Sequence, residues 1–123
     1  MNITVDQRPH SKVAVVSSED VVISGVNDAL DLMADIRYNH ECDKVLLRKE
    51  QLTEDFFELK TKLAGDILQK YINYQFKIAI VGDFSRYNSK SLNDFIYECN
   101  QGNNVFFKGT EAEALDALHG VEV

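Results

Sequence analysis

The chain has no tryptophan, a single proline, two cysteines and six glycines in 123 residues. Each scarcity excludes something. One proline and few glycines rule out a collagen-like or low-complexity chain. Cys42 and Cys99 stand far apart and outside any C-x-x-C spacing, so neither a disulfide framework nor a thiolate zinc site is indicated, and a reducing cytoplasm is the expected home. No apolar run approaches the ~20 residues of a spanning helix. The opening MNITVDQRPHSK carries Asp6, Arg8 and Lys12 where a signal peptide needs an apolar centre. Basic charge is short as well: 13 Lys and Arg stand against 20 Asp and Glu, a formal charge of −7. That field repels a phosphate backbone, and the sparse cluster Arg86 to Lys90 does not reverse it, so nucleic acid is not an expected partner.

What is present suits one domain over residues 1–123. Hydrophobic residues make up 45% and charged residues 27%, enough apolar material for a core without staples. Ile3 and Val5 alternate with polar neighbours, Pro9 and His10 form a turn, and Val13 to Val16 follow, predicting an opening hairpin. Val21 to Ile23 reads as a third short strand. From Ser24 the period lengthens: Val26, Leu30, Met33 and Ile36 or Arg37 mark one face of a helix capped by Ser24 or Asn27. KVLL, ending at Leu47, returns to a strand. A second helix is predicted from Thr53, with Phe56, Leu59, Leu63, Ile67 and Tyr71 on its apolar face and Gly65 inside it, where close packing against a neighbour would justify the glycine. Phe76 to Val81 is a continuous apolar run, the mark of a strand covered on both sides. A third helix runs from Ser89 or Ser91 to Asn100, Val105 to Phe107 is a strand, and Thr110 with Glu113 opens a last helix ended by Gly120. The alternation βαβαβαβα predicts an α/β fold with a mainly parallel sheet, right-handed crossovers and an antiparallel leading hairpin.

The segments VAVVSSEDVVIS, ALDLM, LTEDFFELKTKLAGDILQKYINYQFKIAIVGDFS and SKSLNDFIYECNQGNNVFF resemble the bacterial family catalogued as domain of unknown function 4180, and cover nearly the whole chain. FKIAIVGDF with VFFKGTEAEALDAL is also similar to the closing half of STAS-like domains, best known as anti-sigma-factor antagonists. The second resemblance implies a mixed sheet flanked by about four helices, a role in protein or ligand binding, and no catalysis. In antagonists of that kind the switch is a serine in an Asp-Ser-Ser-Gly context at the start of the helix after a central strand. The matching position holds Leu52, Thr53, Glu54 and Asp55, which keeps one hydroxyl, Thr53, without the second serine or the glycine.

The loop Asp83, Ser85, Arg86, Tyr87, Asn88 and Ser89 should emerge at the carboxyl end of the central strand, where α/β sheets bind ligands or partners. It lacks both G-x-G-x-x-G and the P-loop spacing, Asp83 opposes a phosphate, and Ser91 with Asp94 supplies a capping box, so a structural turn is the preferred reading. Thr53, Glu54 and Asp55 read as a helix cap rather than an acid pair. His40, Cys42 and Asp43 lack the spaced second pair of a closed zinc site, and Cys99 reads as a small buried hydrophobe. No catalytic residue, cofactor or metal is assigned. The aromatic set, Phe56, Phe57, Tyr71, Tyr74, Phe84, Phe95, Tyr97, Phe106 and Phe107, is larger than one core needs, so Phe56, Leu63, Ile67 and Tyr71 are expected to meet a second subunit or line a pocket. The functional expectation is a non-enzymatic regulatory or protein-interaction module, acting as a homodimer. The alternative is a binder of a small apolar ligand, or a protein that docks on a membrane surface by a shift of the second helix.

Overall fold

The computed structural model of the chain describes residues 1–121. Five strands, β1 (Asn2–Arg8), β2 (Ser11–Ser17), β3 (Lys44–Arg48), β4 (Lys77–Val81) and β5 (Val105–Lys108), lie in one sheet in the order in which they occur in the chain. β1 and β2 are antiparallel across Pro9 and His10; β2 to β5 are parallel. The helices are α1 (Val26–His40), α2 (Leu63–Asn73), α3 (Lys90–Asn100) and α4 (Glu111–His119). In a sheet of sequential order, right-handed crossovers place every connecting helix on the same face, so α1, α2 and α3 share one side. The free helix α4 covers the other.

Strand alternation feeds two cores. Ala14, Val16, Val45, Leu47, Ile78, Ile80, Val105 and Phe107 point into the larger core with the three crossover helices. Val13, Leu46, Ala79, Val81 and Phe106 point toward Ala114 and Leu118 of α4. Burial on both faces explains the continuous Ile-Ala-Ile-Val run of β4, and the expected neighbours Val13 to Val16, Val45 to Leu47 and Ile78 to Val81 are adjacent strands.

Several local expectations need correction. Val21 to Ile23 makes one parallel bridge, Ile23 to Leu52, instead of a strand. The amides of Val22 and Ile23 are taken by the Gln51 carbonyl, at 2.7 and 3.0 Å, where the chain crosses beyond the end of β3. Helix α1 starts at Gly25 without a side-chain cap, and the Asp28 carboxylate instead accepts the Ser24 amide at 2.9 Å. The second helix begins ten residues later than expected. Residues 54–57 and 59–61 form single 3-10 turns, the Thr61 hydroxyl donates to the carbonyls of Asp55 and Glu58 (2.8 Å each), and Lys62 at φ 66° breaks the path before Leu63. Helix α3 is capped by Ser89, whose hydroxyl accepts the Leu92 amide at 3.1 Å, while Asp94 pairs with Lys90; the Ser91 and Asp94 box is not formed. The Thr110 and Glu113 box is formed.

Gly65 does not sit in a close contact. It is exposed, and a Cβ there would meet nothing within 4 Å. Gly65→Ala should therefore stabilise the protein by about 1 kcal/mol through helix propensity alone, read as a higher urea midpoint with unchanged slope; a lower midpoint would reveal a packing role.

Candidate functional site

At the carboxyl ends of the parallel strands, β3 runs into the turn Lys49–Gln51 and β4 into Gly82. The two cross so closely that a Cβ on Gly82 would stand 2.6 Å from Lys49 Cβ, so only glycine lets the β4 loop pass. The Lys49 side chain is 8% exposed, and its ammonium lies 5.1 Å from the Tyr87 ring centre, 5.8 Å from that of Phe57 and 3.9 Å from Glu54 Oε1. Tyr87 stacks on Phe57 at 5.5 Å, Phe84 lies 6.0 Å from Phe57, and the Tyr87 hydroxyl donates to Glu54 Oε2 at 3.3 Å. Burial pushes the Tyr87 phenol up, opposed by Lys49 and assisted by Glu54. A desolvated cation between two rings is a favourable arrangement, and here it is internal to the chain. It fastens the loop after β4 to the segment after β3, which brings the two features singled out in the sequence, residues 83–89 and the turn at Thr53, onto one rim.

Within that rim the polar groups are largely committed. Asp83 Oδ1 accepts from the Ser85 hydroxyl at 2.5 Å and the Ser85 amide at 3.0 Å, and these bonds, with smaller help from Arg86 and Lys49, hold its carboxyl below the usual range. Ser89 takes the Leu92 amide. The Ser85 and Leu92 amides, two of those a phosphate could use, are thus taken by the chain's own oxygens, with a carboxylate at the mouth. Thr53 is half-buried and makes no side-chain cap, contrary to expectation; its carbonyl accepts the Phe56 amide. Arg86 and Asn88 are exposed beside Tyr87.

The remaining candidates fall elsewhere. Phe56, Ile67 and Tyr71 are at most 1% exposed in the single chain, and Leu63 is half-buried. Three of the four residues expected to meet a partner or a ligand are therefore this chain's own core, because the face they share packs on the sheet and on α1, and the Tyr71 hydroxyl donates to the Ala29 carbonyl at 2.7 Å. The exposed aromatic surface is instead Tyr38, Tyr74 and Tyr97. In the stretch His40 to Asp43, the Cys42 thiol donates to the His40 carbonyl at 3.3 Å and Asp43 pairs with Arg37 at 2.7 Å. Burial pushes the Cys99 thiol up to about 11, with Glu98 adding to the effect, which removes thiolate character at neutral pH.

The opposite end of the sheet carries a group that sequence spacing did not disclose. A cleft of about 990 Å³ lies between the hairpin turn, residues 41–44 and the end of α4. Beside it, His119 Nε2 is 2.7 Å from Asp6 Oδ2, His119 Nδ1 is 2.8 Å from Ser11 Oγ, and the buried Lys44 ammonium donates to Ser11 Oγ at 2.9 Å and to the Val121 carbonyl at 2.6 Å. Asp6 can only accept, so Nε2 carries a proton; Lys44 can only donate, so the Ser11 hydroxyl is free to donate to Nδ1. Serine, histidine and carboxylate in contact resemble a hydrolytic relay. The His119 side chain, however, is 3% exposed, and each member holds another, which makes the group a fastening of α4 to β1, β2 and β3. Ser11 and His119 are 108 residues apart, and no local pattern marks them.

No curated protein matches the chain. The structure is similar to that of a candidate anti-sigma factor antagonist from Thermotoga maritima, with 12% sequence identity and a TM-score of 0.47 over 95% of this chain and 94% of that one. The family model described as Domain of unknown function (DUF4180) matches residues 8–118, which take in β2 to β5 and the helices but only Arg8 of β1, and the chain belongs to that family.

Proposed function

We propose that the chain is a non-catalytic, regulatory protein-interaction module of the STAS-like kind that its sequence resembles, working as a homodimer in the cytoplasm, with the carboxyl-end rim as its partner-binding surface. One observation carries this reading. The Asp83 carboxylate holds the Ser85 amide and hydroxyl and the Ser89 hydroxyl holds the Leu92 amide, while Arg86 and Asn88 stay exposed on a loop that Lys49, Phe57 and Tyr87 hold in place. Such a surface is poor at holding a small anion and suited to a protein, whose contact needs a rigid aromatic base with polar groups at its margin. Two free cysteines, one buried and one half-buried, agree with a reducing compartment. Among the described residues no helix is long and apolar enough to cross a membrane.

A photo-reactive amino acid placed at Arg86 tests this in living cells, with the same probe at Tyr38, which is 85% exposed, as the control. The expected result is a discrete heavier adduct from position 86 that position 38 does not give. Equal labelling at both positions, or none at 86, would overturn the assignment of the rim.

A further inference from the structure

The two edges of the sheet are treated differently. On the outer side of β5 the Asn100 side chain takes both free groups of Phe107, donating to its carbonyl at 3.1 Å and accepting its amide at 2.8 Å. That edge is capped at Phe107 from within. On the other side β1 is the outermost strand, seven residues long, and its pairing with β2 runs without a bulge from Asn2 and Ser17 to Arg8 and Ser11. It contains no lysine and no proline, and Val5 at its centre is 38% exposed, with Met1 before it 66% exposed. Natural sheets blunt exposed edges by shortness, charge, proline, bulges or a cover. β5 has such a device; β1 has neither proline nor bulge nor shortness, and its two charged residues, Asp6 and Arg8, are bound to His119 and Asp116 of α4.

The hairpin fixes which groups are free. A two-residue turn closes on a hydrogen-bonded pair, here Arg8 and Ser11, and antiparallel alternation then turns Asn2, Thr4, Asp6 and Arg8 toward β2. The amides and carbonyls of Ile3, Val5 and Gln7 face outward. We propose that a second copy of this chain adds its own β1 antiparallel to this strand, about a two-fold axis at Val5, joining the two sheets into one. The inference rests on the homodimer reading above and names its seam. Only this register pairs all seven residues: Val5 meets its own copy, Ile3 meets the partner's Gln7, and about six backbone hydrogen bonds form. Asp6 then lies opposite Thr4 and Arg8 opposite Asn2, so no like charges are directly opposed.

The flanks agree in sign. On the α1 side, beside Met1 and Val22, a shallow recess floored by Leu32 is lined by Asp28, Asp31 and Asp35. At the other end of the same sheet side stands Lys12, paired in register with Gln7 and held only loosely by Glu41 at 3.8 Å. The two-fold axis sets the lysine end of each copy alongside the acidic end of the other. A strand seam is small beside a standard interface of about 1,600 Å², so the dimer should be weak, with dissociation in roughly the 10–100 µM range.

Sedimentation of the full chain from about 1 to 500 µM, with hydrogen exchange at both ends of that range, tests the seam. Wild type should pass from monomer to dimer. As it does, the outward amides of Ile3, Val5 and Gln7 should gain protection while those of Thr4 and Asp6, already bonded to β2, stay unchanged. Val5→Lys, which opposes two ammonium groups on the axis, should weaken association at least about tenfold with an unaltered melting curve. If the variant does not fold, the wild-type exchange pattern decides alone. A wild-type dimer with unprotected Ile3, Val5 and Gln7 amides, or one that survives Val5→Lys unweakened, would overturn the seam and leave the homodimer standing. A wild-type monomer throughout would overturn both.

Discussion

Ile67→Asp should unfold the domain rather than release a folded monomer. Ile67 is fully buried among strand and helix side chains of the larger core, so the substitution removes an apolar side chain and leaves a carboxylate with no partner. The cavity and the unpaired charge together should cost about 4 kcal/mol or more, against a total of about 5–15 kcal/mol for a domain of this kind. Near-ultraviolet circular dichroism should be lost, or the urea midpoint should fall steeply. Leu63→Asp on the same face should behave differently. Leu63 is half-buried and is the first residue of α2, where a carboxylate meets the positive end of the helix, so about 1 kcal/mol or less is expected. Equal losses at the two positions, or an Ile67→Asp chain that stays folded, would mean that this face is not the core packing described above.

His119→Ala should be the next most damaging change, lowering stability by about 2–3 kcal/mol. It takes the ring away from both of its partners, Asp6 and Ser11, and opens a gap beneath the end of α4. Because α4 is the cover of the second core, hydrogen exchange along Glu111–His119 should rise more than exchange in α1 or α2. Ser11→Ala should cost less, since Lys44 keeps the Val121 carbonyl and His119 keeps Asp6. A double-mutant cycle between Asp6 and His119 should give a coupling of about 1 kcal/mol or more. A His119→Ala protein as stable as wild type would show that the bond to Asp6 adds nothing to the docking of α4.

Strands and helices were legible wherever an apolar period was long and unbroken. Ile78 to Val81 announced a doubly covered strand because both neighbours in the sheet and a helix on each face demand apolar residues there. The second helix misled because its apolar spacing begins at Phe56 while the helix begins at Leu63. Single 3-10 turns also return side chains to the same side every third residue, so Phe56 and Leu59 reach the core without a helix, and the break lies in the backbone of Lys62, a residue type that gives no warning. The surplus inferred from that face came from treating the 3-10 turns as one more stretch of amphipathic helix. The loop at 83–89 lies between β4 and α3, where the order of elements put it, but its attachment to Glu54 through Tyr87 and Lys49 depends on two connections meeting in space. His119, Ser11 and Asp6 join the first hairpin to the last helix, beyond the reach of any periodicity.

The order of the strands has a consequence for synthesis. From β2 onward each strand pairs with the one made just before it, so the sheet and its three crossover helices can assemble in the order of translation, by contacts of modest sequence separation. The second face cannot. Val13, Leu46, Ala79, Val81 and Phe106 wait bare until α4 has left the ribosome, and the bond that pins α4 joins residues 113 apart. A growing chain therefore passes through a stage in which one side is finished and the other is an uncovered apolar sheet, the stage at which a chaperone, or another nascent copy, has most to hold.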